Sequence, residues 1–220
     1  MSENQTEQST EKKGKSIFKR PWFWVIVVIV IIVVAASSGN KGEQAVQTGA
    51  PATSGQTAGQ SAKQDSSIKA GMYKVGQDLP AGEYVIMAGT SSGYFQLSKD
   101  SSGQLDSIIC NDMFENRSIV TVKDGDYFEF KTGKAYPIDK APKVEPKNGV
   151  LQSGMYKVGL DLEPGEYKVR ANGDGYIEVA NDSRHTLTGI VSNDIFSGDK
   201  YVTVKSGQYI KFQKAELILK

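Results

Sequence analysis

The string GMYKVGQDLPAGEY at residues 71–84 returns as GMYKVGLDLEPGEY at residues 154–167. A repeat of this length constrains the fold more than any local propensity, because both copies must build the same local structure. Aligning Gly71 with Gly154 gives an offset of 83 that holds through Tyr84 and Tyr167. After one deleted residue, an offset of 82 joins Gly93 to Gly175 and Phe130 to Phe212. The Pro- and Lys-containing DKAPKVEPKNGV, residues 139–150, lies between the copies. Two copies with such a spacer predict tandem domains at 68–142 and 143–220 rather than a solenoid.

Within each copy the apolar period is two. Phe95 and Leu97 match Ile177 and Val179, while Gln96 matches Glu178. Phe128 and Phe130 match Ile210 and Phe212, while Glu129 matches Lys211. One face keeps its apolarity and the opposite face switches charge sign, which is the signature of half-buried antiparallel strands. Turn residues at close spacing predict about six or seven short strands per copy. The fold class is therefore all-β: two tandem small β-sandwich or jelly-roll-like domains after a single N-terminal transmembrane helix. In the repeated string, Gly76 ends a strand and Leu79–Gly82 or Glu163–Gly165 forms a Pro-preset turn, so its residues read as scaffold.

The first part of the chain is organised differently. Residues 1–20 form a polar head that ends in basic residues, and residues 21–40 carry no charge. That is about 30 Å of helix, the thickness of a bilayer core. Backbone groups in hydrocarbon must bond within the segment, so this Val- and Ile-rich run is expected to be helical. The basic flank predicts an integral, single-pass membrane protein with a cytoplasmic amino terminus and extracellular C-terminal domains. Cleavage as a secretory signal near Val34–Ala36 remains the alternative. Residues 41–67, rich in Gly, Ala, Ser, Thr and Gln, read as a flexible linker.

The elements G-x-Y-x-V-G-x-D-L-x-x-G-E-Y, then G-Y, N-D-x-F and V-T-V-K-x-G-x-Y, resemble a repeat of membrane-anchored or secreted surface proteins of Gram-positive bacteria. The FKRPWFWVIVV start is similar to their anchors. This resemblance implies a location and a β-fold rather than a chemistry.

Charge excludes one class of partner. Residues 68–220 carry 19 Lys and Arg against 20 Asp and Glu, a net charge of −1, without a basic stripe, so no nucleic-acid binding is expected. A site built into the domain should occur in both copies, and His185, the only histidine, stands opposite Gly103. It reads as an exposed loop residue, and neither a His-based metal site nor a histidine-dependent nucleophile has its partners. Cys110, the only cysteine, matches Ser192 and reads as a small buried residue. Neither an enzyme activity nor a cofactor is expected.

The remaining signals are polar and aromatic. Alternation turns Tyr94, Tyr127, Tyr176 and Tyr209 outward, where rings can stack on sugars or on a partner. Asn111–Asp112 and Asn193–Asp194 recur with them. These eight residues form the expected ligand site of a membrane-anchored binding module for envelope glycan or another surface protein. A structural or envelope-sensing role is the alternative, and a hydrolase using the repeated carboxylates is a third.

Overall fold

The computed structural model describes residues 66–219. The expectations for the basic head, the membrane span at 21–40 and all but the end of the linker fall outside the described residues. Within them no helix is long and apolar enough to cross a membrane.

The fold is all-β. Sheet 1 contains β1 (Ile68–Lys74), β2 (Gly82–Ser98), β3 (Ile108–Val122) and β4 (Tyr127–Pro137), in the antiparallel order β1-β4-β2-β3. Sheet 2 contains β5 (Val150–Lys157), β6 (Gly165–Ala180), β7 (Ile190–Val204) and β8 (Tyr209–Ile218), in the order β5-β8-β6-β7. Each copy thus has four strands, several of them long, rather than six or seven short ones. The Gly- and Ser-rich stretch after Met87 reads as a strand end in the sequence, yet β2 runs through it as one strand with a register shift between Met87 and Ser92. Bulges bend a long strand without ending it. β6 does the same between Arg170 and Asp174.

Each bent sheet encloses its own core. Phe95, Leu97, Phe128 and Phe130 are buried with Tyr84, Ile86 and Val120 in sheet 1. Ile177, Val179, Ile210 and Phe212 are buried with Val169 and Leu217 in sheet 2. The Phe128 and Phe130 rings stack at 5.3 Å, and Tyr156 stacks on Phe212 at 5.5 Å. Full burial of such side chains contributes roughly 1.5–3 kcal/mol each.

The repeated string is turn scaffolding. Tyr84 and Tyr167 donate their hydroxyls to the carbonyls of Pro80 and Glu163, each four residues back. Tyr73 and Tyr156 do the same to Lys69 and Gln152. The backbone N–H groups of Lys74 and Lys157 donate to Asp78 and Asp161. These bonds tie each turn to the strand beside it.

Candidate functional site

Both sheets belong to one compact unit, and polar residues concentrate where they meet. Edge strand β3 of sheet 1 lies against β5 of sheet 2. Val85 and Ile119 from sheet 1 form a small apolar cluster with Met155 and Tyr209 from sheet 2. Around it, Glu83 accepts from Lys157, Tyr209 and Ser183. Burial would raise the Glu83 carboxyl, but the Lys157 and Tyr209 bonds outweigh it and hold the group below its usual value. Arg117 pairs with Asp161 at 3.2 Å, both side chains buried, and lies over the Tyr156 ring.

The segment Ser183–His185, in the connection between β6 and β7, closes over one end of sheet 1. Ser183 bonds Thr121 through both backbone and hydroxyl. Arg184 forks onto Asp126 and donates to the Thr121 carbonyl. His185 is not an exposed loop residue, since its side chain is 5% accessible. Its ring meets Phe95 edge-on at 4.9 Å, and Nε2 donates to the Ile119 carbonyl at 2.8 Å. Nδ1 stands 3.7 Å from Asp112. A neighbouring sheet, which a position-by-position comparison of the two copies does not register, supplies this environment. Burial holds the imidazole below its ordinary pKa, against the pull of Asp112.

The eight expected site residues do not gather in one place. Tyr94 is half-buried, donating to Gln96 and accepting from Asn111. Tyr176 likewise donates to Glu178 and accepts from Asn193. Tyr127 is half-buried beneath Lys74. Tyr209 is 5% exposed because sheet 1 covers it. Alternation placed it on the outer face, but a second layer keeps that face from solvent. Asp112 is largely covered, its side chain 9% accessible and bonded to Lys211, whereas Asp194 is exposed and paired with Lys200. The two Asn–Asp pairs therefore occupy different environments. No group of His, Cys, Asp and Glu among the described residues is arranged to hold a metal ion.

Sequence reading gives no signal for a cleft of about 600 Å³ at the sheet junction. Its walls are the bulged segments: Glu115 and Asn116 of β3, Arg170–Asn172 of β6, and Lys214–Glu216 of β8, with Gln152 and Ser153 at the mouth of β5. Asn116 and Lys214 adopt φ of 56° and 48°, a left-handed conformation uncommon outside glycine. The Asn116 amide donates to the Ser153 carbonyl, and the Lys214 N–H to Glu115. Two acidic and two basic side chains line the cleft together with amides. It presents hydrogen-bond donors and acceptors in near charge balance and no aromatic ring.

Residues 63–136 match the family model described as the Rv1352-like extracellular domain. Sheet 1 is thus similar to a domain that works outside the cytoplasm. No curated protein and no solved structure matches the chain.

Proposed function

We propose that the chain is an extracytoplasmic interaction module, without catalytic activity, that binds a neutral polar polymer such as envelope glycan in the junction cleft. The supporting observation is the cleft itself, a charge-balanced, amide-bearing hollow built from the bulges of both sheets. Its groups can exchange hydrogen bonds with hydroxyls, and the absence of a ring there makes recognition depend on polar contacts. Membrane anchoring through residues 21–40, with the sheets facing outward, fits this reading and the similarity of sheet 1 to an extracellular domain.

Purified residues 60–220 should co-sediment with isolated cell wall. Replacing Gln152 and Asn172 by Ala should weaken this while the β-sheet circular dichroism stays unchanged. Wall binding that is absent, or indifferent to these substitutions, removes the glycan reading. The envelope-sensing alternative draws its support from the buried His185–Asp112 contact, which makes the junction responsive to acid.

A further inference from the structure

Sheet 2 presents to sheet 1 a face made of Met155, Lys157 and Tyr209. Met155 is 1% exposed there, and Lys157 sits over the Tyr209 ring at 5.3 Å. Sheet 1 covers this face with the aliphatic pair Val85 and Ile119, the carboxylate of Glu83 against Lys157, and Arg117 against Asp161. Sheet 1 carries the same face at the same register. Met72 pairs with Glu129 and Lys74 with Tyr127 across β1 and β4, as Met155 pairs with Lys211 and Lys157 with Tyr209 across β5 and β8. Lys74 sits over the Tyr127 ring at 5.5 Å. Asp78 takes the place of Asp161, down to the bond it accepts from the lysine N–H at the end of the preceding strand. The difference is that this second face is open. Met72 is 43% exposed and Asp78 is exposed.

We propose that the Met72–Lys74–Tyr127 face of sheet 1 is a docking surface for the strand edge of a second protein. In sheet 2 the same cation–π pair framing a methionine is covered by sheet 1, and that occupant defines what fits. The partner presents two aliphatic side chains, a carboxylate that meets Lys74 and a cation that meets Asp78. It carries a further cation where Glu129 replaces Lys211. Buried aliphatic contact supplies the affinity, and the flanking charges set the register.

A second copy of this chain does not meet that description. The face of sheet 2 equivalent to the one sheet 1 uses has Lys168 and Arg170 in place of Val85 and Met87, and Tyr201 in place of Ile119. Asp199 stands where Arg117 does, so head-to-tail stacking would set Asp199 against Asp78 and Asp194 against Glu129. Like charges juxtaposed across an interface oppose association. These replacements also keep the open face from seeding a filament of copies.

A cyclic hairpin peptide tests this. It joins residues 82–87 to residues 117–122 through an Asn-Gly turn, which the opposition of Met87 and Arg117 permits, and it displays Glu83, Val85, Arg117 and Ile119 as sheet 1 does. Titrated into the full chain in detergent micelles, it should bind saturably. Met72→Glu and Lys74→Glu, both on a face open to solvent, should each weaken binding by at least about tenfold. Tyr201→Ala should leave it unchanged. Absence of saturable binding, or binding indifferent to both substitutions, overturns the proposal. Self-association of the chain that Glu166→Lys abolishes would give the face to a second copy and overturn it as well. Binding that appears only after residues 1–59 are removed would assign the face to the chain's own N-terminal segment, which equally overturns the proposal.

Discussion

His185 is held neutral because burial disfavours its protonated form more than the nearby carboxylates favour it. Asp112, Lys211 and Glu178 face it along with the Phe95 ring, and burial dominates their combined effect. A histidine whose pKa is depressed on folding binds a proton more readily when unfolded, so stability is present above about pH 6.5 and is lost as pH falls through that value. The urea midpoint should therefore fall between pH 7.5 and 5.5, and His185→Phe should flatten that decline. Glu83 and Asp126, also depressed, extend the loss only at more acidic pH, near their ordinary carboxylate range. A different residue-scale limit is set at Gly133. Its φ is +80°, and a Cβ there would lie 1.9 Å from the Met87 carbonyl oxygen. Gly133→Ala should cost more than about 3 kcal/mol in chemical denaturation. Gly125→Ala, with φ of +89° but open space around it, should cost only about 1 kcal/mol.

Strand β3 is the element on which the junction depends, since it carries Asp112, Glu115, Asn116, Arg117, Ile119 and Thr121 into contact with sheet 2. Arg117→Ala would strand the buried Asp161 carboxylate and should destabilise by about 3–5 kcal/mol, read from the denaturant midpoint. Arg117→Met, which keeps the stem packed on Tyr156, should be milder. The all-β class and the inward set of Phe95, Leu97, Phe128 and Phe130 are legible in the sequence because alternation reports directly on which face is buried. Strand number is not, because a Gly- and Ser-rich bulge and a Gly- and Ser-rich turn have the same composition. The junction is illegible for another reason. Tyr209 and Tyr127 share a local pattern, and only the presence of sheet 1 over one of them distinguishes buried from half-buried. The cleft is likewise assembled from segments far apart in sequence, with no periodic signal of its own.

At the scale of the whole molecule, the charged and apolar contacts across the junction couple the two sheets. Thermal unfolding of residues 60–220 should be a single transition in which probes in either sheet report the same midpoint. Fragments 68–142 and 150–220 should each melt lower than the joined chain, since each would expose Ile119 and Val85 or Met155 and Tyr209. The closure of sheet 1 by Arg184 has a bearing on time as well as on stability. Arg184 closes onto Asp126 but is made only after β4 has ended at Pro137, so the ribosome finishes sheet 1 well before it makes the segment that closes it. At about 5–20 residues per second, the delay lasts roughly 2–9 seconds. During that interval Phe95 and Cys110 lie at an open end of a nascent sheet, and chaperone engagement or premature pairing of β3 with a foreign strand has its best opportunity.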